Sequence, residues 1–191
     1  MKRYFFMVLI LALTALVGCR PSTPKQKTEP LPEPPAGFTW MTSKNGVGSF
    51  LKPNGWYEKE DSQRGTNVLY IAKEKIKKNN PLEIGLTVTQ INGWSKQQGT
   101  KPSQYAQSYA ASLAAAGELL KQGVMKGETS DMHVVRVKSS NKGVSTIAHH
   151  IVIGLDAVDK VYLLSFESPA NQWEKESQQG REMLNNFLLG E

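Results

Sequence analysis

Residues 144–187, VSTIAHHIVIGLDAVDKVYLLSFESPANQWEKESQQGREMLNNF, decide the fold. Val144–Gly154 and Val161–Glu167 are rich in β-branched and aromatic residues, and the acidic turn Asp156–Asp159 between them is of hairpin length. Strands so closely joined run antiparallel. After them the period changes. Ser168 offers a capping hydroxyl and Pro169 the fixed φ of a first helical residue. Trp173, Ser177, Gly180, Leu184 and Phe187 then recur as one helical stripe. Gly180 lies in that stripe. Because Gly costs about 1 kcal/mol relative to Ala inside a helix, it marks a point where helix and sheet meet closely.

Working outward, His133–Lys138 reads as a further strand with Val135 and Val137 inward. Ser103–Gln122 has helical spacing: Tyr105, Tyr109, Leu113, Ala116 and Leu120 form a stripe, the middle is Ala-rich, and Pro102 suits the first turn. Leu82, Ile84, Leu86 and Val88 alternate with Glu83, Thr87 and Thr89, the period-two signature of a half-buried strand. Nearer the start, Phe38–Trp40 and Val47–Lys52 are short strands, the second ended by the turn Pro53-Asn54-Gly55. Trp56–Glu60 and Asn67–Lys73 bracket a turn at Arg64-Gly65, and Gln90–Lys101 reads as a long polar loop. The expected fold is α+β: a single, mainly antiparallel sheet flanked by two main helices.

The chain has 191 residues, 39% hydrophobic and 21% charged, with 16 Gly and 10 Pro. That composition excludes collagen, coiled coil and a polytopic membrane protein, and about 150 residues suffice for a core. One Cys excludes an internal disulfide framework and a thiolate zinc cluster.

The run Gly48–Trp56 (GSFLKPNGW), the Ala-rich helix near Tyr105, and Val161–Pro169 (VYLLSFESP) with Trp173 together resemble the PsbP-like family. That family includes plant oxygen-evolving-complex proteins, a nuclear transport factor and bacterial lipoproteins of the DcrB type. The resemblance covers Phe38–Leu189. It implies a PsbP-like α/β/α sandwich and an accessory or assembly role, and a fold reused so widely names no activity.

At the N-terminus, Lys2 and Arg3 precede Tyr4–Val17, a 14-residue apolar run. Crossing a bilayer takes about 20 apolar residues, so this length matches a secretory signal instead. Leu16-Val17-Gly18-Cys19 resembles the lipobox of bacterial lipoprotein signal peptides. The resemblance implies cleavage before Cys19 and acylation of its thiol, and several acyl chains on one residue anchor a protein stably. Arg20 stands where some diderm bacteria carry a retention Asp, which favours the periplasmic face of the outer membrane in a host with two membranes. Residues 20–35, RPSTPKQKTEPLPEPP, hold six of the ten prolines and form a semi-stiff spacer reaching ~50 Å. The organisation is therefore 1–18 signal peptide, 19–36 lipidated Cys and tether, and 37–191 folded domain. Loss of Lys2 and Arg3 takes the 23 basic residues to 21 against 17 acidic, a net of +4 that points to no anionic partner, and nucleic acid is not expected.

Chemistry is sparse. No Gly-x-Ser-x-Gly elbow and no phosphate-cradling loop occur. His149 and His150 are adjacent, so on a strand they face opposite ways. A metal site would have to combine His149 and His133 with a carboxylate such as Glu167 or Asp131. Glu58, Glu60 and Asp61 read as a solvated edge, and Asp156 and Asp159 as turn residues. The basic run Lys73–Lys78 is a solvated loop that can touch anionic headgroups. Trp94, in the polar loop, is the binding candidate, suited to a sugar, lipid or protein contact. The expectation is a membrane-anchored, non-enzymatic binding or assembly module without a cofactor, working with an envelope protein. The alternatives are a small metal-dependent envelope hydrolase and a small-ligand carrier with a cavity beside the Ala-rich helix.

Overall fold

The computed structural model describes residues 30–77, 82–127, 130–141 and 143–190. The signal segment, Cys19, most of the tether and the end of the basic run at Lys78 lie outside them. The unit considered below begins at Pro32. Among the described residues no helix is long and apolar enough to cross a membrane.

Among the described residues, ten strands and three α-helices follow one another as β1 (Phe38–Thr42), β2 (Gly48–Pro53), β3 (Tyr57–Gln63), β4 (Thr66–Ala72), β5 (Gly85–Asn92), α1 (Trp94–Gln98), α2 (Pro102–Ala115), β6 (Glu118–Lys126), β7 (Asp131–Asn141), β8 (Val144–Leu155), β9 (Lys160–Pro169), α3 (Trp173–Asn185) and β10 (Phe187–Leu189). Seven form one sheet in the order β3-β4-β5-β9-β8-β7-β6, with every neighbouring pair antiparallel. The protein is thus α+β, dominated by a large antiparallel sheet with few helices.

Several expectations are corrected. The sheet is not single: β1, β2 and β10 make a second, three-stranded antiparallel sheet. Phe187, placed in the helical stripe, is a strand residue stacked 6.2 Å from Phe50. Helix α2 stops at Ala115, and the residues after Gly117, read as its last turns, are strand β6. Gly117 sits so close to the carbonyl of Lys138 that a Cβ would lie 2.5 Å from the oxygen, and only Gly lets the chain enter the sheet there. Ser168 and Pro169 do not open α3. They close β9 opposite Ile147 and Thr146, and the helix begins at Trp173 after Gln172. Proline is tolerated at a strand end because its missing N–H interrupts no further rungs.

The two faces of the large sheet follow from its registers. Leu69, Ile71, Leu86, Val88, Ile151, Ile153, Leu164 and Phe166 fall on one face and are buried together with Val47, Phe50, Met183 and Leu184, so α3 and the small sheet cover this side. The other face presents Val135, Val137 and Val152 to Ala106 and Ala110 of α2. Gly180 rests on the Phe166 ring, with a Cβ there only 2.5 Å from it, as its place in the helical stripe predicts. A buried chain of polar groups ties the sheets: Gln90 donates to Tyr162 Oη at 2.6 Å, and Tyr162 donates to the Gly190 carbonyl at 2.7 Å. At the tether end, Trp40 Nε1 donates to the Pro32 carbonyl at 2.7 Å.

Candidate functional site

His133 stands opposite Val152 across β7 and β8, whereas His149 stands opposite Arg136. An odd and an even position of one strand lie on different faces, so the structure does not bring His133 and His149 together. His149 lies under α3. Burial, then the neighbouring charges of Arg136, Lys121 and His150, push it down to about 4. Arg136 Nε donates to His149 Nδ1 at 3.1 Å, which requires the neutral ring. His150 is on the α2 face, opposite Ser165, and burial lowers it to about 4 as well. Glu167 shares that face. Burial raises its carboxyl, opposed by a 3.2 Å hydrogen bond from Ser165. Asp131 shares a face with His133 but pairs with Lys126 at 2.6 Å. Among the described residues no three His, Cys, Asp or Glu side chains gather as a metal cage would require.

The segment holding Trp94 is not a loop. β5 runs to Asn92, and Trp94 opens the short helix α1, whose first turn is held by Asp159: Ser95 N donates to Asp159 Oδ1 at 2.8 Å. Asp156 does the same for α2, accepting from Ser103 N at 2.9 Å and Ser103 Oγ at 2.8 Å. These aspartates satisfy the unpaired donors of two helix starts across the fold. Trp94 folds back with its indole 3.9 Å from Tyr105, and Tyr105 lies 5.3 Å from Tyr109. Trp94 Nε1 donates to Thr100 Oγ1 at 3.2 Å. The result is a ladder of three half-buried rings along one flank of α2. Burial and the adjacent Tyr109 raise the Tyr105 phenol above its ordinary value. The i, i+4 spacing of the tyrosines was visible in the sequence, but that Trp94 caps the row was not.

On the other flank of α2 an open groove of about 420 Å³ runs to β6, lined by Ser103, Gln104, Gln107, Val124, Asp131 and His133. The Ala-rich helix, compatible in sequence with either a cavity or close packing, packs closely where Ala106 and Ala110 are buried against the valines of β7 and β8. Beyond the groove, β6 is an edge strand exposed along all nine residues. Leu119, Leu120, Val124 and Met125 are 46%, 42%, 50% and 45% exposed, so its apolar side chains are open to solvent. A register shift between Leu119 and Lys121 bulges it. The opposite edge, β3, reads YEKEDSQ, with charges throughout.

No family model matches the chain, and neither does any curated protein. Solved structures do. A protein from Bacteroides thetaiotaomicron VPI-5482 aligns at 15% identity and a TM-score of 0.50 over 81% of this chain, which spans about half (49%) of that protein's length. Cyanobacterial PsbP (CyanoP) from Synechocystis sp. PCC 6803 aligns at 11% identity and a TM-score of 0.50, covering 81% of this chain and 93% of CyanoP. The Ran-binding protein Mog1p of Saccharomyces cerevisiae aligns at 12% identity and a TM-score of 0.49, covering 80% and 95% respectively. At these identities the likeness is one of backbone architecture: the chain has a PsbP-like fold.

Proposed function

We propose that this chain is a lipid-anchored protein of the cell envelope that works without catalysis, as a binding or assembly module, and that it docks an extended segment of an envelope partner along β6. The edge strand itself carries this reading. Alternate residues of this fully exposed nine-residue strand turn their N–H and C=O groups away from β7, next to four exposed apolar side chains. Charge runs through the opposite edge at Glu58–Asp61, whereas β6 is charged only at Glu118, Lys121 and Lys126 and keeps its apolar side chains open between them. A strand added to β6 gains main-chain hydrogen bonds and apolar cross-strand pairs, and the neighbouring groove receives its polar side chains. The half-exposed ladder headed by Trp94 is a second contact surface, since stacked rings take up a flat partner group. The resemblance of Leu16–Cys19 to a lipobox supports an anchor at Cys19, on the periplasmic face of the outer membrane where the host has two membranes. The PsbP-like fold supports an accessory rather than a catalytic role.

The test is photo-crosslinking in the native host, with a photoreactive residue at Val124 or, as control, at Lys59 on β3. A reproducible adduct with one envelope protein at Val124, absent at Lys59, is expected. Equal adducts at the two sites, or none at either, overturn the docking. For the anchor, Cys19→Ser is expected to leave an uncut precursor without incorporated fatty acid. Native material whose Cys19 thiol is free and still preceded by residues 1–18 overturns it.

A further inference from the structure

Three strands present the row Arg136, His149 and Phe166 beneath α3, on the sheet face opposite α2. Above the row stand Trp173 and Arg181, and together they enclose a cleft of about 30 Å³. Arg136 is fixed twice: its Nε donates to His149, and its guanidinium carbon lies 5.2 Å from the centre of the Trp173 ring. That leaves its two terminal NH₂ groups, the fork that binds oxyanions in pairs. Because His149 Nδ1 accepts, its remaining proton sits on Nε2, a further donor.

The charges here are all of one sign. Burial and the approach of Arg181 both lower the Arg136 guanidinium, and the permanent charges beside His149 are Arg136 and Lys121. Among the described residues, neither Arg136 nor Arg181 has a carboxylate within 4.0 Å, although Lys52, Lys73, Lys126 and Lys138 all have one. Half-buried Arg136, stripped of part of its water and beside the exposed Arg181, gains from an anion that neutralises both. The pattern is that of a counter-ion site rather than of an internal ion pair.

We infer that this cleft binds a phosphate group, held by the guanidinium groups of Arg136 and Arg181, with the Trp173 ring backing Arg136. Two guanidiniums present several N–H donors that match the tetrahedrally arranged oxygens of a phosphoryl group better than the two coplanar oxygens of a carboxylate. The volume, roughly that of two water molecules, admits two oxygens of a phosphoryl group and leaves the rest of the group at the mouth. The source is therefore either free phosphate or a phosphorylated headgroup presented at the mouth. This inference depends on neither the anchor nor the β6 edge.

The test is a titration of the purified full-length chain, following the Trp173 indole and the arginine Nε–H signals by NMR. The probes are inorganic phosphate, soluble dihexanoylphosphatidylglycerol, dihexanoylphosphatidylcholine, and acetate at matched ionic strength. Saturable shifts with inorganic phosphate are expected, weakened at least tenfold in Arg181→Gln, whose site on α3 lies outside the core. Arg136→Lys keeps the charge but removes the fork, and the same weakening is expected provided its spectrum remains that of the folded protein. Tighter saturation by the phosphatidylglycerol than by inorganic phosphate identifies a lipid source, and the reverse a free phosphate. Either result upholds the site. Shifts that rise linearly, that acetate reproduces, or that persist in Arg181→Gln overturn it.

Discussion

Replacing Gly154 by Ala would put a methyl group 2.3 Å from the carbonyl carbon and oxygen of Pro102 and 2.5 Å from the Ser103 nitrogen. All three are backbone atoms at the start of α2, so no side-chain rotation relieves the clash. Ordinary contact begins at about 3.4 Å, and the helix start must therefore retreat by about 1 Å. A gap of that size forfeits a quarter to a half of the dispersion energy of the contacts it opens, here those of Ala106 and Ala110 with Val135, Val137 and Val152. Overpacking of this kind typically costs about 1–3 kcal/mol, with the upper end expected where backbone meets backbone. Ala in a strand regains about 0.5–1 kcal/mol relative to Gly. The net expectation is a loss of about 2 kcal/mol, or roughly 4–8 °C in Tm for a domain of this size. Urea unfolding should show a lower midpoint at unchanged slope. Near-ultraviolet circular dichroism should weaken as the Trp94–Tyr105 stack is disturbed. A variant as stable as the parent would refute the close seating of α2 on β8.

Other outcomes follow from single contacts. Trp94→Ala removes the first ring of the ladder and should cost about 0.5–1.5 kcal/mol beyond the lost area, read by thermal unfolding. Leu119→Lys changes only an exposed side chain, so stability should move by no more than about 0.5 kcal/mol while the adduct from a photoreactive residue at Val124 disappears. His149 and His150 are held at about 4, below their ordinary 6.5, so the unfolded chain takes up protons that the folded one refuses. Stability is then full above pH 6.5 and declines as the pH falls towards 4, each histidine adding a slope of up to about 1.4 kcal/mol per pH unit. Urea midpoints at pH 7, 5.5 and 4.5 test this, and His150→Asn should flatten the dependence.

Local signals in the sequence were legible where one segment's own chemistry decides its shape. The alternation through Leu86 and Val88 became β5, and Arg64-Gly65 became a tight turn with φ of 47° and 82°. Pro102 opens α2, as its fixed φ allows. The signal failed where a neighbour decides. Glu118–Lys126 continues the spacing of the helix before it, yet the long partner β7 draws it into the sheet, because eight backbone pairings outweigh a weak helical preference. Ser168 and Pro169 look like a helix start, but β8 extends far enough to pair with them.

The same division runs through the functional surfaces. Residue types and spacing alone determined an antiparallel α+β fold, two stacked tyrosines on a helix flank, and histidines 149 and 150 on opposite faces. Tertiary structure alone decided that His133 and His149 never meet, that Asp156 and Asp159 cap distant helices, that β6 is left as an edge, and that Arg136 and Arg181 line one cleft. The reason is one of range: periodicity and turn chemistry act over a few residues, while strand order and charge neighbourhoods arise from contacts between segments far apart in the chain.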